Sequence, residues 1–459
     1  MAIRFLNTYT RTMEEFRPLG KPVKIYTCGP TVYHYAHIGN FRAYIFEDLL
    51  QRHLEASGYQ VDRVMNLTDV DDKTIKGCRA AGVSLMDFTQ KFKDAFFEDL
   101  KTLRIKPANN FPAATDYVAQ MITMIERLIE NGYAYQAEDK SVYFRLNTFP
   151  DYGKLAHLNL EELRPTGRIA NDEYEKESVG DFALWKAWDE ADGNVAWESP
   201  WGRGRPGWHI ECSAMATTLL GDEIDIHCGG VDNIFPHHEA EIAQTECCTG
   251  KRFVRMWLHC AHLMVEGQKM AKSAGNFYTL RDLLEKGWSG RELRYVLLSV
   301  HYRLPLNFTF ESLAAARAAL ARIDEWLARL AEKAGSESTP YPLADDSRFA
   351  AALDDDLNIS GALGALFDVI RESNRAFDRD ELTPGNARAL LDWWKKVNTV
   401  LQFQREEETV PQAVRDLVEA RAAARAAKDW AQSDDLRAKI EAAGWNIKDS
   451  KDGQKISRK

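Results

Sequence analysis

Apolar residues along the first 110 positions follow a strand pattern and then a helix pattern, twice over. Residues 23–27, VKIYT, alternate apolar and polar side chains, as a strand with two different surroundings does. Residues 41–58 repeat apolar positions at helical spacing, and residues 59–68, YQVDRVMNLT, are typical of a second strand. A further helix is predicted from about Ser84 to Leu103. This order predicts an α/β domain built on a parallel sheet.

The pattern changes between residues 112 and 204. A long amphipathic helix at 115–132 precedes a predicted hairpin at 133–146 and a charged, turn-rich segment that ends in WESPW. We interpret 112–204 as an insertion. It would separate the two halves of the α/β domain, residues 1–111 and 205–278.

Beyond residue 278 the helical periodicity continues almost without interruption. Residues 279–403 therefore form a predicted all-α region, with a Pro- and Ser-containing linker near 335–347. An acidic linker near 404–412 precedes a small C-terminal unit, residues 411–459. This unit combines an Ala/Arg-rich helix, a second helix and a strand-like tail.

Composition and charge limit the classes of protein to which this chain can belong. The formal net charge of −10 argues against a generally basic coat for nucleic acid, yet residues 411–459 hold eleven Lys/Arg and eight Asp/Glu, an excess of +3. Seven cysteines at irregular spacing indicate free thiols and a possible metal site rather than a disulfide framework. The sequence has no signal-like start and no apolar run long enough for a bilayer, so we expect a cytoplasmic protein with no membrane partner.

Candidate chemistry begins at the end of the first strand. Cys28, Gly29 and Pro30 follow the strand, and residues 37–40, His-Ile-Gly-Asn, lead into the first long helix. In an open α/β sheet such a position lies at the crevice where a ligand binds, and the helix N-terminus presents N–H groups to phosphate.

Possible metal ligands are scattered over the second half of the α/β domain. Cys212 lies in GWHIECSAM, and FPHHEAEIA places His237 and Glu241 four residues apart on one helical face. Together with Cys28 they would complete a four-ligand zinc site. From the residues alone, rival ligands remain open: Cys228, His238, Cys247 and Cys248. The acids Asp69, Asp71 and Asp72 are interpreted as helix caps and surface partners rather than as a Mg²⁺ site.

These motifs resemble those of a known family. HIGN resembles the HIGH signature of class I aminoacyl-tRNA synthetases, and KMAKS at 269–273, about 230 residues later, resembles their KMSKS loop. Asn40 stands where the second His is usual, and Ala271 replaces the first Ser of the loop. TCGPTVY, GWHIECSAM and FPHHEAE are similar to motifs of cysteinyl-tRNA synthetases. The resemblance implies a Rossmann-like catalytic domain with an insertion, an all-α stem-contact region and a small C-terminal anticodon-binding domain.

The resemblance also implies roles for individual residues. One Zn²⁺ per chain would be held by Cys28, Cys212, His237 and Glu241 and would select the substrate thiol. Residues placed around cysteine are Gly29, Thr68, Trp208 and His227. The catalytic groups that stabilise the phosphates of Mg²⁺-ATP would be His37, Asn40, Lys269 and Lys272, and Gly39 and Ser273 would add to the ATP site.

The implied partners are ATP, L-cysteine and tRNA(Cys). In the C-terminal unit the candidates for tRNA contact are Arg421, Arg425, Lys428, Lys439, Trp430 and Trp445. The alternative is an ATP-dependent cysteine ligase that acts on an aminosugar. The long C-terminal region argues against it, because a small acceptor needs no such reach.

Overall fold

The computed structural model describes residues 2–158, 180–271, 274–345, 347–405, 411–450 and 453–458. The chain forms two compact units, residues 1–403 and residues 404–459. Among the described residues, no helix is both long enough and apolar enough to cross a bilayer.

Helices predominate in the second half of the chain and alternate with strands in the first half. The helices are α1 (Ile38–Ala56), α2 (Asp72–Ala81), α3 (Leu85–Thr102), α4 (Val118–Glu130), α5 (Trp208–Leu220), α6 (Glu239–Thr249), α7 (Leu280–Glu285), α8 (Gly290–Leu298), α9 (Phe310–Lys333), α10 (Arg348–Asp354), α11 (Ile359–Asp378), α12 (Pro384–Leu401), α13 (Gln412–Ala426) and α14 (Trp430–Ala442). The strands are β1 (Arg4–Asn7), β2 (Thr12–Glu15), β3 (Val23–Thr27), β4 (Val61–Met65), β5 (Ala134–Gln136), β6 (Val142–Phe144), β7 (Phe182–Ala187), β8 (Gly204–Pro206), β9 (Ile224–Gly230), β10 (Val254–Cys260), β11 (Leu263–Val265), β12 (Gln268–Lys269), β13 (Leu306–Phe308), β14 (Trp445–Ser450) and β15 (Gly453–Arg458).

A parallel four-stranded sheet in the order β10-β9-β3-β4 organises the first unit. The chain moves from β3 through α1 to β4 on one side, while β9 and β10 extend the sheet on the other side. The strand order therefore reverses between β3 and β9. A crevice forms at such a reversal, outside the carboxyl ends of the strands, and it is the usual ligand site of open α/β sheets. The predicted α/β class with a parallel sheet is confirmed.

The two faces of β3 meet different layers, as its alternation predicts. Val23 and Ile25 pack into the hydrophobic cluster that contains α1 and continues into the C-terminal helices of this unit. Tyr26 packs on the opposite face, in a cluster formed with α4, α5 and α6. Helices therefore cover both faces, which is the usual arrangement around a parallel sheet.

The predicted insertion contains an antiparallel sheet, β5-β6-β7-β8, beside α4. The hairpin predicted at 133–146 is present as β5 and β6. Residues 159–179 of the insertion lie outside the described residues. The last strand, β8, leads directly into α5, which carries Cys212.

One helix was not predicted. α2 lies between the acidic DVDD segment and α3, and Asp71 caps its N-terminus by accepting a hydrogen bond from the Thr74 N–H at 2.8 Å. Asp69 pairs with Lys93 at 2.6 Å, and Asp72 pairs with Arg205. These contacts agree with the interpretation of Asp71 as a cap and of the exposed Asp72 as a surface partner. Asp69, in contrast, is buried and also accepts hydrogen bonds from Thr115, so it is not a surface partner.

The helical region packs against the α/β domain through a buried arginine. Arg294 of α8 donates to Asp48 of α1 at 2.6 Å and to the carbonyl oxygens of Leu401 and Leu103 at 2.8 and 3.1 Å. Because these carbonyls belong to the C-terminal ends of α12 and α3, the guanidinium of α8 satisfies groups from three other helices. One hydrophobic cluster thereby extends from the first strands and α1 into the helical region.

The second unit consists of α13 and α14 followed by the β14–β15 hairpin. Val414, Ile440, Trp445 and Ile447 form its small core. The strand-like tail predicted from WNIKDSKDGQKI corresponds to this hairpin. Residues 406–410 of the preceding predicted linker lie outside the described residues.

Candidate active site

The candidate ligands meet where β3 and β9 end. Thr27 of β3 pairs with Cys228 of β9, and the Cys28 N–H donates to the Cys228 carbonyl at 3.2 Å. This hydrogen bond fixes Cys28 immediately beyond the strand, at the reversal of strand order. The position is the one predicted from the strand–loop–helix pattern.

Four side chains from three segments converge at this point. The thiol of Cys28, the thiol of Cys212 on α5, the imidazole of His237 and the carboxylate of Glu241 on α6 place one donor atom each within 4.8 Å of one another. His237 Nε2 lies 3.5 Å from Cys212 Sγ and 3.2 Å from Glu241 Oε1. Ligands of a tetrahedral zinc ion are about 3.3–3.8 Å apart, given bond lengths of about 2.0–2.3 Å. The described residues therefore contain a possible metal centre.

A second set overlaps with the first. Cys28, His227, His238 and Glu241 also bring one donor atom each within 4.8 Å of one another. His238 Nε2 lies 3.2 Å from Cys28 Sγ, and its other ring nitrogen lies 2.8 Å from His259. Of the rival ligands that the sequence left open, His238 is thus close enough to compete. Cys228, Cys247 and Cys248 belong to neither set.

Burial favours the uncharged form of the groups in this cluster. Burial, with the neighbouring imidazoles, lowers the pKa of His237 and His238 well below the usual range, so both rings are neutral. Burial raises the pKa of Glu241, and the adjacent Cys212 thiol, together with burial, raises the pKa of Cys28. Neutral imidazole is the form that binds metal, whereas the thiols and the carboxyl group would give up their protons on binding a divalent cation.

A carboxylate oxygen without a hydrogen bond also indicates a metal site. Oε2 of Glu241 lies 2.9 Å from His227 Nε2, whereas Oε1, which faces His237, makes no hydrogen bond in the described chain. A buried carboxylate oxygen without a hydrogen bond is costly. The donor set of two thiols, one imidazole and one carboxylate suits zinc. The residues present therefore fit a zinc ion.

The residues expected around cysteine border this cluster. The Gly29 N–H donates to Asn66 at 2.9 Å, and the buried Thr68 hydroxyl donates to Glu211 at 2.8 Å. Trp208 is 44% exposed and stacks on His237, with ring centroids 4.2 Å apart. His227 is fully buried. The half-exposed indole thus lies between the candidate metal ligands and the solvent side of the crevice.

The HIGN residues form the start of α1. His37 is the N-cap: its ring nitrogen lies 3.2 Å from the Asn40 N–H, and the Asn40 side-chain oxygen accepts from the His37 N–H at 3.1 Å. This reciprocal capping holds both side chains at the positive end of the helix dipole. Because the Asn40 oxygen is engaged in capping, its NH₂ group is the part that can serve a ligand.

The KMAKS segment lies against the same helix start. Lys269 is exposed on β12, and Asn276 accepts from the Ala271 N–H at 2.8 Å, which closes the described part of the loop. A side-chain carbon at Gly39 would come within 3.1 Å of the Met270 methyl group, so the loop packs directly on HIGN. Lys272 and Ser273 lie outside the described residues.

Several polar residues of the crevice were not singled out from the sequence. Glu211 and Asn66 contact the predicted pocket residues, His209 lies 2.9 Å from His237, and His259 lies beside His238. Burial lowers the pKa of His259 to about 3. His259 could have been predicted from the sequence, because it interrupts the apolar strand VRMWLHC just as His227 interrupts IDIHCGG.

The second unit presents one exposed aromatic residue beside a cation. Trp430 is 57% exposed, and the Arg425 guanidinium lies 5.5 Å from its ring centroid. Trp445 and Arg421 are buried, the latter in an ion pair with Asp449 at 3.0 Å, so neither is available for the tRNA contact suggested for them. They were misassigned because their burial depends on packing between the helices and the hairpin.

Comparisons with known families cover almost the whole chain. The sequence profile of the "tRNA synthetases class I (C) catalytic domain" matches residues 15–318. A DALR domain profile matches residues 348–404, and the "Cysteinyl-tRNA ligase anticodon binding domain" matches residues 407–456.

Full-length relatives agree with these matches. The chain is 50% identical over 467 residues to a cysteine–tRNA ligase of Protochlamydia amoebophila, covering 99% of this chain and 98% of that protein. It is 50% identical over 474 residues to a cysteine–tRNA ligase of Chlamydia muridarum, covering 100% of both. Among solved structures, a Mycobacterium tuberculosis methionyl-tRNA synthetase with methionyl-adenylate superposes with a TM-score of 0.63 at 16% identity, over 84% of this chain and 91% of that one. The last likeness concerns the fold.

Proposed function

The chain belongs to the cysteine–tRNA ligase family of class I tRNA synthetases, and from that membership we propose how its crevice joins cysteine to tRNA(Cys). The overall reaction is ATP-dependent aminoacylation. The observation that carries the assignment of the site is the convergence of Cys28, Cys212, His237 and Glu241 at the reversal of strand order. The aminosugar alternative receives no support, because the full-length relatives are cysteine–tRNA ligases.

In the first step a carboxylate oxygen of cysteine attacks the α-phosphorus of ATP. The bond from that phosphorus to the bridging oxygen breaks, and pyrophosphate leaves cysteinyl-adenylate behind. We assign the stabilisation of the developing phosphate charge to His37 and Asn40 at the helix start and to Lys269 and Lys272 of the loop. Gly39 and Ser273 complete the ATP site, and Mg²⁺ accompanies ATP as its counter-ion.

In the second step a hydroxyl of the terminal adenosine of tRNA attacks the carbonyl carbon of the adenylate. The carbonyl–phosphate oxygen bond breaks, and AMP leaves. No side chain of the crevice becomes covalently attached to the substrate in either step. Positioning and electrostatic stabilisation therefore account for the catalysis.

We assign the selection of cysteine to a zinc ion held by Cys28, Cys212, His237 and Glu241. Zinc binds a thiolate much more strongly than a hydroxyl, which separates cysteine from serine. The chain orients the ligands: His227 hydrogen bonds to Glu241, and His209 hydrogen bonds to the second ring nitrogen of His237. We further propose that Gly29, Thr68, Trp208 and His227 border the amino acid.

Mutation can distinguish the ligand set that contains His237 from the set that contains His238. His237→Ala should lose bound zinc, measured by elemental analysis, while His238→Ala should retain about one zinc per chain. The opposite result would assign the metal to the set that contains His238. Loss of metal in neither variant would refute both sets.

The activity itself is tested by cysteine-dependent exchange between ATP and pyrophosphate, followed by tRNA charging. A chain that ends at Phe403 should retain the exchange, because the HIGN, metal and KMAKS residues all precede residue 280. Its tRNA charging should fall steeply, since the unit matched by the anticodon-binding profile is missing. If the shortened chain charged tRNA as well as the intact one does, the proposed role of this unit would be wrong.

Within that unit we propose that Trp430 and Arg425 contact the anticodon, because an exposed ring beside a cation suits an unpaired base and its phosphate. Trp430→Ala should weaken tRNA binding by about 1–3 kcal/mol, the usual loss for one stacked base. Trp188→Ala provides the matched control, since Trp188 is 39% exposed but lies in the insertion. The compartment we propose is the cytoplasm, where tRNA is charged.

A further inference from the structure

The hydroxyl of Tyr26 is a buried polar group without a partner. Tyr26 is fully buried on β3, and its Oη makes no hydrogen bond in the described chain. Leaving such a group unpaired costs about 1–3 kcal/mol. Because side chains two apart on an extended segment point to the same side, Tyr26 and Cys28 both face the layer formed by α5 and α6.

This hydroxyl lies among the proposed metal ligands. Tyr26 and Cys212 pack in the same hydrophobic cluster, and Cys28 packs against that cluster. Burial raises the pKa of Tyr26, and the Cys212 thiol raises it further. The Tyr26 ring also lies 5.2 Å from the His227 ring. Of the two sulfur atoms, Cys28 Sγ already has a polar neighbour outside the proposed ligand set, His238 Nε2 at 3.2 Å. Cys212 Sγ therefore has the greater need of an additional donor.

The charge of the ligand set explains why a donor is useful here. Two thiolates and one carboxylate bring three negative charges to a divalent ion, and the substrate thiolate adds a fourth. Excess negative charge weakens the attraction of the ion for a further thiolate. A hydroxyl that donates to a coordinated sulfur withdraws electron density from it and lowers that excess.

We propose that the Tyr26 hydroxyl donates a hydrogen bond to the metal-bound thiolate of Cys212 and thereby preserves the affinity of the metal for the substrate's sulfur. The inference rests on the zinc centre of the proposed function. Tyr26 is a positioning residue, since it acts through Cys212 and touches no reacting atom.

The test compares full-length wild type with Tyr26→Phe after zinc has been replaced by Co²⁺, whose absorption reports on sulfur ligation. Removing the donor should move the sulfur-to-cobalt charge-transfer band to lower energy and weaken zinc binding about tenfold. The KM for cysteine should rise while the KM for ATP stays constant. Tyr143→Phe is the matched control, because Tyr143 is fully buried in β6 within a separate cluster.

A second substitution protects the test against misfolding. Incorporation of 3,5-difluorotyrosine at position 26 keeps the shape of the side chain and makes the hydroxyl a stronger donor, so the band should move to higher energy. An unchanged band in both variants would overturn the proposal, as would a shift that occurs only after cysteine is added, because the donor would then serve the substrate. Absence of metal from the wild-type protein would instead refute the zinc centre, and this proposal with it.

Discussion

Gly29 offers the sharpest test of how the fold holds the site. A Cβ atom at this position would lie 1.7 Å from the carbonyl oxygen of Asn66 and 2.9 Å from its carbonyl carbon. Both are backbone atoms, so no side-chain rotation relieves the overlap. In Gly29→Ala the ends of β3 and β4 must separate by about 1.7 Å to reach an ordinary contact of 3.4 Å.

This separation would act directly on the proposed metal centre, because Cys28 is the adjacent residue. Metal–ligand distances vary by only about 0.2 Å in working sites, and a displacement of about 1 Å near an active site can cost about a hundredfold in rate. We therefore expect kcat/KM for cysteine-dependent pyrophosphate exchange to fall at least a hundredfold, about 2.7 kcal/mol of transition-state stabilisation. Metal content should fall with it, and overpacking should lower the unfolding free energy by about 1–3 kcal/mol.

The matched control is Gly364→Ala in α11, where nothing lies within 4 Å of the added carbon. Its activity should be unchanged, and its stability should rise by about 0.5–1 kcal/mol, the usual gain on replacing a mid-helix glycine. If Gly29→Ala kept its metal and its exchange rate within twofold of wild type, the close contact between the strand ends would not position the site.

Three further outcomes follow from the structure. Cys212→Ser should lose the bound metal and the affinity for cysteine, whereas Cys228→Ser, outside both ligand sets, should keep them; equal metal contents would contradict the assignment. Lys269→Ala should slow adenylate formation by about two to three orders of magnitude while cysteine binding is retained, and an equal loss in both would place Lys269 in the amino-acid pocket. Burial raises the pKa of Glu47 from 4.5 to about 8, so between these pH values the folded state keeps a proton that the unfolded state releases. The contribution of this proton to the unfolding free energy is complete below pH 4.5 and is lost as the pH rises through 8. Glu47→Gln, a mimic of the protonated acid, should match wild-type thermal stability at pH 4.5 and exceed it at pH 8; lower stability at both values would mean that Glu47 is charged.

Local structure and residue chemistry were predictable from the sequence because each depends on a few neighbours. The alternation of VKIYT marks β3 at its observed bounds, and Ser84 and Leu103 flank α3 as predicted. The motifs also identified the family, because HIGN and KMAKS are contiguous segments. The unpredicted helix α2 is short, and its start is set by the single cap Asp71.

Only the tertiary structure shows how the candidate metal ligands come together. Residues 28, 212 and 241 meet because β3 and β9 are parallel neighbours and α5 and α6 cover the same face, a strand order that no local pattern encodes. The same packing placed His238 within reach of Cys28 and Glu241 and brought Tyr26 into the cluster that contains Cys212. In the second unit, packing between the helices and the hairpin buried Arg421 and Trp445. Burial and contact across hundreds of residues depend on which elements share a core, and periodicity within one element carries no information about its partner.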